Sequence, residues 1–209
     1  MHELLVAALL LAVSFGDALK VAAVSAPLTV EESAVAARLA EQALRSEGLW
    51  TTTRMHLVEA VPHRDSTAES KGAYERMARL TYYRYDGALT IAVIINLASQ
   101  RAVAVKRLPN FEAPFSAEEY ALARRLAFAD PQVREALAPF RDRVIVEPIT
   151  LRHDSPGDPL FRHRVICFFF RTGSRYLLRD RLILVDLTTQ TVILQPISGS
   201  PAHAAMGGH

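Results

Sequence analysis

From Leu28 to Gly48 apolar residues recur at the spacing of a helix. Val35, Leu39 and Ala43 form one stripe, and Ala36, Ala40 and Leu44 lie beside it, so one face is apolar. Thr29 and Glu32 have the spacing of a capping box, in which hydroxyl and carboxylate satisfy free N–H groups at a helix start. Glu41 and Arg45 are placed for an i,i+4 pair, and Gly48 for a C-terminal stop. The period then changes. Four segments rich in β-branched and aromatic residues follow, at 54–61, 76–86, 89–97 and 102–108, and they predict strands. Asp86-Gly87 is a hairpin signal, and the polar stretch 62–73 reads as a loop.

The same order then recurs. Ser116 and Glu119 repeat the capping spacing before a second helix with Tyr120, Ala123 and Ala127 on its apolar face. Asp130-Pro131 opens a short further helix, with Val133, Ala136, Leu137 and Phe140 at i, i+3, i+4 and i+7. Strands are expected at 143–151, 163–171, 176–187 and 191–197, with Thr172-Gly173-Ser174 at the tip that answers Asp86-Gly87. "NLASQ" at 96–100 aligns with "DLTTQ" at 186–190 without a gap, and "HRDS" at 63–66 faces "HDS" at 153–155. The reading is α+β: two tandem repeats, each a helix packed on a four-stranded antiparallel sheet of cystatin-like type. The first domain is 27–108 and the second 116–198. Residues 109–115 link them, where Pro109 and Pro114 oppose regular structure.

Composition narrows the function classes. The formal charge is +2 over 209 residues, which gives no field of the kind nucleic acid requires. Leu4 to Val13 is too short to span a bilayer but suits the core of a secretory signal, so 1–26 is read as a signal-like segment and the protein as periplasmic or secreted. Small residues suited to cleavage stand at Gly16/Ala18 and Val24/Ala26, although the segment before the apolar block carries Glu3 and no Lys or Arg. A retained N-terminal helix is the alternative. Cys167, the single cysteine, lies inside "VICFFF" and reads as an inert buried thiol.

Candidate chemistry is sparse. His56 falls on a strand. His63 and His153 fall in loops near aspartates, where a His–Asp pair could do acid–base work, yet duplication alone accounts for both. In the tail, 199–209, His203, Met206 and His209 offer imidazole and thioether ligands that suit Cu(I), but the Gly and Ala around them predict a flexible segment. No catalytic, cofactor-binding or metal-binding residue is therefore assigned. Arg162, Arg164, Arg171, Arg175, Arg179 and Arg181 crowd one hairpin and read mostly as solvated edge charge. The runs Tyr82-Tyr83-Arg84-Tyr85 and Phe168-Phe169-Phe170 are bulky on both strand faces, so both faces need cover, from the sister domain or a partner chain.

Several segments carry a resemblance. "PLTVEE" precedes the first helix, and "HLVEAVP" has a Leu-x-Glu strand pattern. "RLTYYRYDGALTIAVIINLASQRAVAV" forms the meander, "LPNFEAPFSAEEYALARRLAFADPQVREAL" the connector and second helix, and "SPGDP" a loop. Over 27–197 these resemble the second and third N-terminal domains of copper-containing amine oxidases. In that family a separate large domain holds copper, through three His with two in His-x-His, and a topaquinone formed from Asn-Tyr-Asp/Glu. Neither motif occurs in this sequence: Asn96 precedes Leu97, Asn110 precedes Phe111, and no two histidines are two apart. The resemblance implies a non-catalytic accessory subunit, with copper and topaquinone only in a catalytic partner chain. The alternative is a free-standing binding or inhibitor module that reuses the fold.

Overall fold

The computed structural model describes residues 25–51, 54–64, 75–109, 111–153 and 155–197. The signal-like segment up to residue 24, most of the expected loop 62–73, and the tail with His203, Met206 and His209 lie outside the described residues. The chain divides into two compact units, Met1–Ser116 and Ala117–His209.

The first unit holds helix α1 (Val30–Ser46) and strands β1 (Met55–His63), β2 (Met77–Arg84), β3 (Leu89–Asn96) and β4 (Arg101–Leu108). The sheet is an antiparallel meander in chain order. α1 starts where the sequence predicts. Thr29 Oγ1 accepts from the Glu32 amide at 3.1 Å, and Glu32 Oε2 accepts from the Thr29 amide at 2.9 Å, so two orphan donors are satisfied reciprocally. Its fully buried residues Ala36, Ala40 and Leu44 pack on Ala78, Leu80, Tyr82, Ile91, Val93 and Ile95. The small alanines let the helix lie close to the sheet. Burying Leu44 alone is worth about 2 kcal/mol.

The second unit holds α2 (Ala117–Ala129), α3 (Pro131–Leu137), a 3₁₀ turn (Ala138–Arg143) and β5 (Ile145–Leu151). β6 (Val165–Thr172), β7 (Arg175–Leu177), β8 (Arg181–Asp186) and β9 (Thr191–Pro196) follow. The main path is β5-β6-β8-β9, with β7 paired to the end of β6. α2 packs on β6, β8 and β9. Phe128 meets Phe170 edge to face at 5.7 Å between centroids. Two helix-on-sheet repeats therefore stand as expected from the periodicity.

The turn shared by the two repeats is built the same way twice. Asn96 Oδ1 accepts from the Ser99 amide, and Asp186 Oδ1 from the equivalent Thr189 amide and, more closely, from the Thr188 amide. Gln100 and Gln190 both take left-handed backbone, φ 53° and 59°. The repeats also differ from expectation. The segment 176–187, read as one strand, is broken: Leu178 turns left-handed at φ 53°, and Arg179 and Asp180 complete the interruption before Arg181 opens β8. β1 continues to His63 through Pro62, which an edge strand tolerates because its outer side needs no ladder donor.

Candidate functional site

Alternation along β2 and β6 sends one set of side chains toward the helix and the other to the helix-free face. At the strand entrances the helix-facing residue is an arginine in both units. Arg76 Nη2 donates to Glu32 Oε2 at 2.8 Å, and Arg164 Nη2 to Glu119 Oε2 at 2.8 Å. The carboxylates are the acidic members of the two expected capping boxes. The backbone confirms the equivalence: the Arg76 carbonyl accepts from Leu97 N–H and the Arg164 carbonyl from Leu187 N–H. The pairs differ in burial. Both partners are 1% exposed in the second unit, against 19% and 28% in the first. In the first, Arg76 also donates to the carbonyls of Ala26 and Pro27, and its guanidinium holds the Glu32 carboxyl down to about 2. Each pair locks a helix start onto the centre of its sheet.

On the helix-free face the equivalent pair reverses its parts. In the first unit Asn96 Nδ2 donates to Glu75. In the second, His163 Nδ1 lies 2.7 Å from Asp186 Oδ2, with Asp186 buried and His163 29% exposed on its side chain. Asp186 Oδ2 also accepts from Thr189 Oγ1 at 2.6 Å. Burial alone would raise the Asp186 pKa. The Thr189 hydroxyl, the His163 ring and the Thr188 amide outweigh it and hold the carboxyl below its ordinary value. This geometry orients an imidazole, as in acid–base sites, but the hydroxyl in reach bonds the carboxylate rather than the ring. It ties a turn to a strand entrance.

A second His–Asp pair lies nearby in sequence. His153 Nδ1 is 2.7 Å from Asp158 Oδ2, and Asp158 Oδ1 accepts from the Leu160 amide. The ring's contact holds Asp158 below the usual carboxylate range. His153 Nε2 is buried and has no hydrogen-bond partner. Asp154, the adjacent aspartate in sequence, lies outside the described residues. Among the described residues no group of three or more His, Cys, Asp or Glu could hold a metal ion.

The first unit has a cavity of about 480 Å³ on the helix-free face of its sheet, lined by His63, Arg64, Met77, Ile94, Val103, Ala104 and Lys106. The ladder places His63 opposite Met77, and Ile94 opposite Ala104. A register shift between Ile94 and Ile95 leaves Val103 as an extra residue, a β-bulge that bends the edge strand beside the cavity. Met77 and Ile94 are nearly buried, whereas Lys106 is exposed. Met77, Ile94 and Ala104 supply apolar lining, His63 is half-buried beside them, and Arg64 and Lys106 are exposed.

The structure thus places the histidines singled out from sequence in unlike settings. His56 is half-buried on β1, edge to face with Tyr85 at 5.6 Å. His63 and His153 are not counterparts in the ladder. His63 pairs with Met77 and Leu151 with Val165, and Met77 and Val165 face Asn96 and Asp186 respectively, so the counterpart of His63 is Leu151. The sequence assigns no role to His163, because its partner is 23 residues away. The reading of the arginines as solvated edge charge fails for Arg164, which is buried against Glu119; Arg171 and Arg181 stay at the surface, paired with Glu147 and Asp180. Cys167 is buried, and burial pushes its thiol up, away from reactivity. No helix among the described residues is long and apolar enough to cross a membrane.

No protein-family model matches the sequence, and no curated protein matches it. Among solved structures, the chain is similar to a copper-containing benzylamine oxidase from Hansenula polymorpha, with a TM-score of 0.56 at 16% sequence identity. The match covers 83% of this chain and 30% of that one, so the chain spans under a third of its neighbour's length. At that identity the likeness is one of fold, and the fold this chain shares is that of part of a copper amine oxidase.

Proposed function

We propose that this chain is a non-catalytic accessory subunit of a copper/topaquinone primary amine oxidase, acting in amine metabolism by assembly with a separate catalytic chain. The observation that carries the reading is the fold shared with part of a copper amine oxidase over 83% of the chain. Two facts of the sequence support it: neither Asn-Tyr-Asp/Glu nor His-x-His is present, so the residues that would make the quinone and hold the copper must come from elsewhere. In this reading the chain resembles the small, stand-alone accessory chains of tyramine oxidases, and it works outside the cytoplasm, periplasmic or secreted. It supplies shape and contact rather than reacting groups.

The test is isolation of the chain at native level from the cells that make it. Co-elution with a larger chain that stains for quinone by redox cycling and contains copper is expected. The purified chain alone should oxidise no amine. Elution without such a partner in repeated preparations, or unaided amine turnover, overturns the reading. One observation favours a second reading, a free-standing binding module: the cavity of the first unit.

A further inference from the structure

The outer strand of a sheet presents a row of unpaired N–H and C=O groups, and proteins guard such edges with prolines, bulges, charge or brevity. The internal repeat allows the edges of the two sheets to be compared. β1 carries a bulge near Leu57, and Pro62 further on. β4 carries the bulge at Val103 and the charges Arg101, Lys106 and Arg107. Pro148 stands in the middle of β5 within a regular ladder, so the donor it lacks is missing on the outer side. β7 is three residues long. β9 has none of these guards. Thr191-Val192-Ile193-Leu194-Gln195 is uncharged, its ladder to β8 is regular, and its proline, Pro196, comes only at the end.

The register fixes which groups of β9 point outward. Ile197 N–H donates to the Asp180 carbonyl at 2.9 Å, so Ile197 and Asp180 form a hydrogen-bonded pair. Such pairs alternate along an antiparallel ladder. Gln195, Ile193 and Thr191 therefore turn their main-chain groups to β8, and Val192, Leu194 and Pro196 turn theirs outward. No hydrogen bond to the outward N–H or C=O of Val192 or Leu194 occurs among the described residues. The side chains of Val192, Ile193 and Leu194 at this edge are only half-buried.

We propose that β9 is the interface of a symmetric dimer, in which the β9 strands of two copies pair antiparallel across a two-fold axis at Ile193. This register uses the outward groups in full: Val192 of each copy exchanges both its hydrogen bonds with Leu194 of the other. Side chains then meet like with like, Ile193 with Ile193, Val192 with Leu194, and Thr191 with Gln195. The lack of charge selects a second copy of this chain as the occupant. An edge that pairs with itself sets its own residues opposite one another, and like charges directly opposite are destabilising. β4, with three basic residues and no acid, is barred from such pairing. A two-fold contact also consumes both edges and closes, whereas an open edge invites further strands. The contact lies within the second unit and uses no oxidase partner, so its test is separate from co-purification.

Sedimentation equilibrium of the full chain reads the mass directly. With rising concentration it should climb from 23.1 kDa towards twice that value. Val192→Pro removes an outward donor and leaves the β8 ladder intact, as Pro148 does for β6 on β5. This variant should stay at 23.1 kDa with an unchanged circular dichroism spectrum. Thr191 and Gln195 are exposed, so substituting them keeps the fold and decides the matter even if Val192→Pro does not fold. Thr191→Lys with Gln195→Lys sets two like-charged pairs across the axis and should weaken dimerisation about 10-fold or more. Thr191→Glu with Gln195→Lys makes the same two pairs opposite in sign and should restore it. A mass of 23.1 kDa at every concentration, a dimer as tight after Val192→Pro, or equal dimerisation of the two charge-substituted chains overturns the proposal. So does a chain that is monomeric alone and co-elutes with an oxidase, an outcome that leaves the accessory-subunit reading standing.

Discussion

Glu32 and Glu119 occupy the same place in two copies of one fold, yet their burial separates what each costs to remove. Glu119→Gln leaves the Arg164 guanidinium charged in a site 1% exposed, so about 3–5 kcal/mol of stability should be lost. Glu32→Gln leaves Arg76 in a site open to water, with the Ala26 and Pro27 carbonyls still accepting, and should cost about 1 kcal/mol or less. Urea unfolding of the two variants measures the contrast, and equal losses would refute the burial argument. Asp186 adds a pH test. Its folded pKa lies below the ordinary 3.8, so its contribution is present above that value and is lost as pH falls through the lower, folded one. Asp186→Asn installs the residue that the first unit carries at Asn96. It keeps an oxygen for the Thr188 amide but gives up the charged contact to His163, at about 1–2 kcal/mol near neutrality. Below about pH 4 the variant should lose less further stability than the parent chain. A parent and variant with parallel stability curves between about pH 5 and pH 2 would count against the assignment.

At the scale of elements, what the sequence showed and what it hid have the same source. Caps and periods are local. Thr29 with Glu32, and Asp130 with Pro131, could be read directly, and both helices start there. Asp130 Oδ1 accepts from the Gln132 and Val133 amides at 3.0 Å, so Asp130→Ala should cost about 1 kcal/mol, measurable as a lowered unfolding midpoint. Register is not local. The bulges near Leu57 and at Val103 each shift a ladder by one residue, and no run of apolar positions marks them. His63 and His153, aligned by eye, fall two places apart for another reason: Met77 and Asn96 are 19 residues apart but Val165 and Asp186 are 21, so the second hairpin is two residues longer and the offset between repeats changes across it. The break between β7 and β8 did have a signal, Arg179-Asp180-Arg181, because three charges in a row cannot alternate into a buried face. The buried Arg164 gave none: the two residues before it, Arg162 and His163, offer no acidic partner, and only the helix start brought against it by the fold supplies Glu119.

At the scale of the whole chain the question is whether each repeat is a folding unit in its own right. The second has the means within itself. α2 presents Ala123 and Ala127 to a sheet whose buried residues include Ile166, Phe168, Phe170, Ile183 and Val185, and α3 adds Val133 and Leu137. Its opposite face is closed by Leu160 over Val165, Cys167 and Leu184. The Glu119–Arg164 pair, the His163–Asp186 contact and the Arg181–Gln132 bond all lie inside the unit. No disulfide is needed, since Cys167 is the only cysteine. Domains of this size bury only about 60–65% of their unfolded surface and are marginal, but they do fold alone when the core is continuous. Residues 114–198, produced separately, should therefore show a single cooperative thermal transition and the circular dichroism of mixed helix and sheet. Carrying Glu119→Gln, the same fragment should lose that transition, because about 3–5 kcal/mol is a large part of what so small a domain has. A fragment that stays unfolded while the full chain folds would mean that stability belongs to the pair, and that the repeat is one of pattern without independence.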